Sequence, residues 1–356
     1  MNPGNPQISV LVPIYNVEPY LPHCLESLLA QSLHQIEIIC IDDGSTDESW
    51  RMAESYAARD ARVRTVQHKE NRGLSAARNT GLALARASYI MFCDADDWYE
   101  PEMCEKMLAA MQSAEGVDYA ACETQLHYEE APAQQAHADE KYYRLKRRGL
   151  VQVDDNLLLS TDVSVWNKIF RRELIEAHGI RFPEGLLYED NAFFHAYALC
   201  SQRAVYLQAE RLYHYRRRRG SIMSATLAGR STRAADLLHI AEGLHAFMQQ
   251  QGMLPERLHY YGKLFFSLLS SALEFSKHVQ NPLSILDAAA AALARAGVDF
   301  SAYPDLAYQQ ELLRRRIPMG SSSVSWGGLL KIKYKARGAK RYFMGIPLGT
   351  SRTLPA

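Results

Sequence analysis

The sequence predicts an α/β fold, a doubly wound and mostly parallel sheet followed by a smaller all-helical C-terminal region. Between residues 8 and 122, short apolar runs alternate with segments of helical spacing, which is typical of a parallel sheet with helices on both faces. Two of the apolar runs end abruptly in acidic residues, as strands do where ligands bind at the carboxyl edge of such a sheet. From about residue 232, Leu, Ala, His and Tyr recur at helical spacing.

The elements are predicted in order along the chain. Apolar runs predict strands at residues 8–12, 36–41, 63–66, 88–93, 117–122 and 205–207. Helical spacing and helix-starting residues predict helices at residues 18–30, 47–58, 74–87, from 101 onward and at 189–199. The polar stretch 129–152 lacks periodicity and is predicted to be an excursion or mobile loop.

Length and charge predict three regions. The 356 residues are 47% hydrophobic, which suits one large core and a smaller second domain. We expect the α/β domain over residues 1–230, the helical region over 231–320 and a basic tail over 321–356. No acidic residue follows Glu311, whereas ten Lys and Arg do, so an acidic body carries a basic tail.

The basic tail predicts an anionic partner. On a helix, residues 329–343 would form an apolar stripe flanked by Lys and Arg. Such a helix can bind an anionic membrane, because each basic residue near the surface contributes about 1 kcal/mol. A helix docked on the acidic body is the alternative.

Cysteine usage indicates a cytoplasmic protein. The six Cys form no C-x-x-C pair and several lie in apolar runs, which indicates reduced thiols and not a disulfide framework or a zinc site. The sequence shows no signal-peptide pattern and no apolar run long enough to cross a bilayer. We expect a cytoplasmic location, peripheral at the inner membrane face if the tail binds lipid, and no nucleic-acid partner.

The most informative stretch follows the fourth predicted strand, where Asp94, Asp96 and Asp97 come directly after Cys93. Asp94 and Asp96 are two residues apart, so an extended backbone points them to the same side. Two hard oxygen ligands suit Mg²⁺ or Mn²⁺, and these ions usually bring a substrate phosphate with them. A solvated turn is the alternative, and whether Asp97 also contacts the ion stays open.

The ends of the first two strands predict a nucleoside pocket. Pro13 and Tyr15 lie at the end of the first strand, and Asp43 follows the second. An aromatic ring can stack on a base, and a carboxylate can accept a hydrogen bond from a uracil imide. The alternatives are an aromatic residue at the edge of the core and a simple turn at Asp43-Gly44.

Four segments together resemble the sequence blocks of family-2 glycosyltransferases, namely residues 12–16, 42–47, 71–79 and 94–97. The resemblance implies a GT-A fold, a nucleotide-sugar donor, a divalent metal and inversion at the anomeric carbon. It also implies that Pro13, Tyr15 and Asp43 contact the nucleoside. Asp94 would then reach the ribose and, with Asp96, hold the metal.

Four arginines are candidates to bind the diphosphate of the donor. Arg72 and Arg78 flank the glycine at a predicted helix start, where a cationic fork suits a diphosphate; a solvated helix face is the alternative. Arg216 and Arg219 lie in a basic run that resembles a further segment of the family and can close over the diphosphate. His214 in that segment is either a third metal ligand or a satisfied core histidine.

The catalytic base is expected in the pair Glu189-Asp190. This pair resembles the Glu-Asp segment of the family, whose second acid is the base. Inverting transfer needs one carboxylate to take the proton of the acceptor hydroxyl, and we assign Asp190 to that role and Glu189 to orienting it. The alternative is that both acids stabilise the positive end of a helix. Residues 166–168, Trp-Asn-Lys, are predicted to line the acceptor pocket or to belong to the core.

The predicted function is inverting transfer from a nucleotide sugar, in the first place a UDP-sugar, to a hydroxyl of a glycan or lipid-linked glycan acceptor. Lipopolysaccharide, capsule or exopolysaccharide assembly is the expected setting. A non-catalytic nucleotide-sugar-binding module and a metal-dependent phosphatase are the alternatives. A haloacid-type phosphatase needs a Thr or Val shortly after the second Asp, which Asp97-Trp98 does not supply, and a binding module does not need Asp190.

Overall fold

The computed structural model describes residues 5–129, 145–217, 226, 228–279 and 281–315, and the backbone of three short strands between residues 332 and 351. The chain divides into two compact units, Met1–Ser221 and Ile222–Ala356.

The first unit is built on a nine-stranded sheet. Its strands are β1 (Ile8–Ile14), β2 (Ile36–Asp42), β3 (Val63–Gln67), β4 (Tyr89–Phe92), β5 (Trp98–Tyr99), β6 (Val117–Tyr128), β7 (Gly149–Gln152), β8 (Lys168–Arg171) and β9 (Arg203–Arg217). The order across the sheet is β3-β2-β1-β4-β8-β6-β9-β5, and β7 pairs with β9. Because β1 runs parallel to β2 and β4, the carboxyl ends of these three strands meet at one edge.

The helices of this unit connect the strands. They are α1 (Leu21–Leu29), α2 (Ser49–Arg59), α3 (Leu74–Leu84), α4 (Met103–Gln112), α5 (Asp155–Leu158), α6 (Arg172–Ala177) and α7 (Glu189–Leu199). The predicted α/β class with a mostly parallel sheet is confirmed. The sheet is also mixed, because β8 lies antiparallel between β4 and β6, and β7 is antiparallel to β9.

The core explains why the parallel edge is rigid. Every residue of β1 and β2 is buried, as expected for strands covered on both faces. In α1, Leu21, Leu25 and Leu28 are buried at a spacing of three and four residues, so one helix face packs against the sheet. Each fully buried Leu contributes about 1.5–3 kcal/mol. These elements hold the strand ends that carry the candidate site.

The loop predicted over residues 129–152 is wrong at its C-terminal end, where Gly149–Gln152 forms β7. The segment is weakly patterned by itself, but it pairs antiparallel with residues 203–206 of β9, and this tertiary pairing overrides local preference. Residues 130–144 lie outside the described residues.

The second unit contains the predicted helices, α8 (Asp236–Gln250), α9 (Leu254–Ser276), α10 (Pro282–Ala296) and α11 (Pro304–Arg315). The 23-residue α9 contacts the other three. At Gly262 in α9, an added Cβ would lie 2.4 Å from a methyl carbon of Leu306, so α9 and α11 pack closely because this residue is glycine. None of the helices in the described part of the chain is long and apolar enough to cross a membrane.

The helix predicted over residues 329–343 is wrong. The backbone there forms a three-stranded antiparallel sheet of β10 (Ile332–Lys335), β11 (Gly338–Phe343) and β12 (Ile346–Ser351). The sequence carries the reason, because residues 331–335 alternate Lys with Ile and Tyr, a period of two that favours a strand, and Gly338 disfavours a helix. Contact with an anionic membrane stays a prediction that rests on charge alone.

Candidate active site

The acidic turn after β4 contains one buried acid and two that are partly exposed. Asp97 is buried, and it accepts a hydrogen bond from the Tyr213 hydroxyl at 2.6 Å and one from the Arg216 backbone N–H at 2.7 Å. Asp97 therefore ties β9 to the turn and is not placed to bind an ion. Asp94 and Asp96 are partly exposed on the same turn.

Arg78 of α3 brings Asp94 together with the two acids that begin α7. Its Nη2 donates to Asp94 Oδ1 at 2.9 Å, and its Nη1 donates to Glu189 Oε1 at 2.8 Å and to Asp190 Oδ1 at 2.6 Å. Arg78 is buried, and although burial disfavours its charge, the carboxylates raise its pKa. The diphosphate contact expected of Arg78 stays untested, and the geometry points its guanidinium at three carboxylates.

Asp190 has the environment of a general base. Burial and the charge of Glu189 raise its pKa to about 6, against the opposing effect of Arg78. Glu189 is more buried, and burial raises its pKa too. The preceding Tyr188 has φ of 65°, a left-handed conformation that is rare for a non-glycine residue. Strained backbone of this kind clusters at functional sites and here starts α7.

A tight loop at residues 162–168 supports Asp190 from another side. The backbone N–H of Val165 donates to Asp190. Asp162 shapes the loop, because its carboxylate accepts from Ser164 N at 3.1 Å and from Asn167 Nδ2 at 3.1 Å. Lys168 is buried and lies 3.5 Å from Asp162, and burial lowers its pKa while Asp162 opposes that change.

Trp166 in the same loop belongs to the core. It is buried and stacks on Tyr213 and Tyr215 with ring centroids 4.4 and 5.2 Å away. Of the two predictions for residues 166–168, the structure therefore supports the core position for the tryptophan ring. The Tyr213 hydroxyl that this stack orients is the one that donates to Asp97.

At the end of β2, Asp43 organises the loop at residues 71–73. Its carboxylate accepts from the backbone N–H of Arg72 at 3.0 Å and of Gly73 at 2.7 Å, and it lies 2.6 Å from His68 Nδ1. Gly44 has φ of 74°, and a Cβ at this position would lie 2.8 Å from the carbonyl carbon of Glu70. The two loops thus meet backbone to backbone.

Pro13, Tyr15 and Arg72 lie near this edge. Pro13 is buried, whereas Tyr15 is 47% exposed. Arg72 is exposed and lies 3.3 Å from Glu184. Asp42, which the prediction left without a role, is buried with Oδ2 hydrogen-bonded to Ser45 N and Gln67 Nε2; its Oδ1 has no partner among the described residues.

Arg216 is held beside the acidic turn by an aromatic cluster. Its Nε donates to the backbone oxygen of Asp96 at 2.9 Å, and its guanidinium lies 4.8 Å from the Trp98 ring. His214 stacks on Trp98 and bonds Glu100 at 2.7 Å and His127 at 2.8 Å, so both of its ring nitrogens are engaged. The satisfied-histidine alternative is the one this geometry supports. Arg219 lies outside the described residues.

Comparison with known proteins assigns the family. Residues 9–179 match the family model Glycosyl transferase family 2. Over 222 residues the chain is 33% identical to Glycosyltransferase GlyG of Streptococcus pneumoniae serotype 4, an alignment that covers 61% of this chain and 72% of GlyG. The chain belongs to glycosyltransferase family 2. A second relative, Putative glycosyltransferase EpsH of Bacillus subtilis, is 37% identical over 229 residues; the alignment covers 61% of this chain and 63% of the length of EpsH.

A solved structure agrees on the fold of this family-2 chain. The crystal structure of S. aureus TarS 1-349 in complex with UDP-GlcNAc superposes with a TM-score of 0.66 at 22% identity, over 87% of this chain and 88% of that one. At this identity the likeness shows the fold, and it confirms the GT-A fold that the sequence blocks implied.

Sequence reasoning missed three contributors to the site of this family-2 protein. Asp162 and Val165 were not singled out, although the run Thr-Asp-Val-Ser is a turn signal just before a strand. Asp42 was given no individual role, although a buried strand that ends in two acids is unusual because burying a carboxylate is costly. Their roles depend on contacts with α7 and β3, which local patterns do not contain.

Proposed function

We propose that this protein transfers a sugar from a nucleotide-sugar donor, a UDP-sugar in the first place, to a hydroxyl of a glycan acceptor with inversion at the anomeric carbon. The observation that carries the proposal is the arrangement of Asp190, a partly exposed acid with a raised pKa, joined through Arg78 to Asp94 at the strand edge. Family membership supports the reaction class. The TarS neighbour, solved with UDP-GlcNAc, supports the choice of donor.

In this proposal Asp190 acts as the general base. With a pKa of about 6 it is ionised at neutral pH, yet it remains basic enough to accept the proton of the attacking hydroxyl. The acceptor oxygen bonds to the anomeric carbon as the bond from that carbon to the diphosphate oxygen breaks on the opposite side. One displacement with one base gives inversion, so no second carboxylate is needed as a nucleophile. Glu189 pairs with the same arginine, Arg78, and thereby holds Asp190 in position.

The residues at the acidic turn fit a divalent cation. Arg78 joins Asp94 to Glu189 and Asp190, and Asp96 lies on the same turn as Asp94. Three carboxylates therefore share the one guanidinium of Arg78. Burial raises the pKa of Asp94, and the charge of Asp96 adds to the effect, as expected for oxygens short of positive charge. In the described residues, no three His, Cys, Asp or Glu side chains could hold an ion by themselves. Asp94 and Asp96 with donor phosphates would hold Mg²⁺ or Mn²⁺, which stabilises the leaving diphosphate.

Other residues would bind the rest of the donor. The exposed ring of Tyr15 can stack on the base, and Asp43 with Pro13 would complete the nucleoside pocket. Arg72, Arg216 and Arg219 are proposed for the diphosphate. The acceptor is proposed to be a glycan or lipid-linked glycan in lipopolysaccharide, capsule or exopolysaccharide assembly, with membrane contact through the basic tail.

The proposal is tested in two steps with the full chain. A thermal-shift panel of UDP-, GDP-, CMP- and dTDP-sugars with Mn²⁺ identifies the donor, because ligands that bind the folded state raise its melting temperature. Release of UDP from UDP-GlcNAc is then followed with Mn²⁺ and with EDTA. Metal-dependent release supports the transferase. Binding without any turnover, with or without candidate acceptors, would favour the non-catalytic module, and release of inorganic phosphate would favour the phosphatase.

A further inference from the structure

Arg78 is placed where an arginine is costly unless its contacts are needed. It is 1% exposed in α3, among the small buried residues Ser75, Ala76 and Ala77. Its guanidinium packs over the Phe182 ring at 5.2 Å and the Phe92 ring at 5.9 Å. Burying such a cation requires pairing, and the aromatic rings fix the plane of the fork.

The fork connects two parts of the site that are far apart in sequence. One terminal nitrogen contacts Asp94, which follows β4, and the other contacts Glu189 and Asp190, which begin α7. The Nε of Arg78 is buried without a partner among the described residues. The side chain thus leaves one N–H donor unsatisfied, whereas both terminal nitrogens bind carboxylates. The position of Arg78 therefore favours the bridge between the three carboxylates.

We propose that Arg78 is a positioning residue that fixes the Asp190 carboxylate relative to Asp94 and thereby places the base against the donor. This role rests on the proposed function and differs from the diphosphate contact expected for Arg78. Three carboxylates around one cation repel each other, and without the bridge the first turn of α7 moves away from the strand edge. A lysine supplies a charge but only one nitrogen, so it cannot span both sides as the planar fork does.

The test is a double-mutant cycle between Arg78→Lys and Asp190→Asn, read as UDP release from UDP-GlcNAc with Mn²⁺. In the wild-type background, R78K should lower kcat about 10- to 100-fold, the usual effect of a misplaced catalytic group, and change KM for the donor less than about threefold. In the D190N background, R78K should lower the remaining rate less than about twofold, because its effect passes through Asp190.

Controls separate this role from general stability. Arg64 pairs with the buried Glu37 at 2.8 Å and contacts none of the three acids bound by Arg78. Arg64→Lys should therefore leave kcat unchanged. If R78K does not fold, as judged by its melting curve, Phe182→Leu loosens the packing of the guanidinium and enters the same cycle with a smaller expected loss.

The outcomes distinguish this inference from the proposed function. A rise in KM with unchanged kcat in R78K would overturn the positioning role in favour of a diphosphate contact. If R78K lowers kcat by the same factor in the D190N background as in the wild type, the positioning role is overturned as well. The assignment of Asp190 as the base would remain. Wild-type release by D190N would overturn the base assignment itself, and the role of Arg78 with it.

Discussion

Two buried charge clusters in the first unit have opposite arrangements of charge. Glu37 of β2 is one anion that accepts from Ser9 at 2.6 Å, from Arg64 at 2.8 Å and from the Arg86 backbone at 2.8 Å, and Arg86 Nη2 adds an ion pair. Burial disfavours its charge, but these hydrogen bonds lower its pKa. Arg78 is the opposite case, one cation shared by three acids, among which burial raises the pKa of Asp94, Glu189 and Asp190.

The comparison teaches how to separate a structural cluster from a functional one. Around Glu37 the one buried acid pairs with two arginines whose side chains reach solvent, so the cluster stabilises the fold and leaves no unpaired carboxylate for a ligand. Around Arg78 negative charge is in excess, which costs stability and leaves carboxylates able to bind a cation or a proton. Buried acids that outnumber their cationic partners in a folded protein indicate a site.

The largest expected effect follows from removing the base. Asp190→Asn should lower transfer by a factor of roughly 10² to 10⁴, the usual contribution of a positioned base, and keep donor and metal binding. UDP release and donor-induced thermal shifts measure the two properties. Loss of donor binding by a folded D190N protein would show that Asp190 is a structural acid at a helix start.

A smaller loss is expected at the acidic turn. Asp96→Asn should lower transfer roughly 10²-fold and remove most donor affinity, because the cation joins the protein to the diphosphate. Titration with Mn²⁺ measures the change. Asp97→Asn is the matched control, and since Asp97 binds Tyr213 and Arg216, it should lower the melting temperature and keep the Mn²⁺ response. Wild-type rates of D96N in EDTA would refute the metal assignment.

The pH dependence of kcat should report the Arg78 cluster. Asp190 accepts a proton only as a carboxylate, and its pKa is about 6, so kcat should be constant above that value and fall about tenfold per pH unit below it. A pH–rate profile at saturating donor checks this. A profile that is flat down to pH 5 would contradict an Asp190 base with a raised pKa.

The smallest effect on catalysis is expected at the Glu37 cluster. Glu37→Gln should cost about 1–3 kcal/mol of unfolding free energy and leave kcat unchanged. Because folding lowers the pKa of Glu37, its contribution is present above the pKa of the unfolded chain and is lost as the pH falls through the folded value. Melting temperatures of wild type and E37Q should therefore converge in acid, and a constant difference would contradict this account.

The sequence predicted the parts of the protein that local patterns encode. The apolar runs of β1, β2 and β4 and the acids after them were predicted because burial and strand ends leave direct signals. The short β5 and β8 were missed, since two- and four-residue strands are defined by their partners. At the site, the patterns indicated Glu189 and Asp190, but the bridge from Arg78 joins residues 112 positions apart and has no local signature.

The backbone contact between Gly44 and residues 70–71 has a consequence for the energetics of recognition. Because a side chain at position 44 would collide with main-chain atoms, the two loops stay in register only with glycine there. Because these two loops are already ordered in the folded protein, a nucleotide that binds beside them does not have to order them, which would cost about 1–2 kcal/mol per residue. In Gly44→Ala the loops would be ordered only when the nucleotide binds, so this cost would weaken binding.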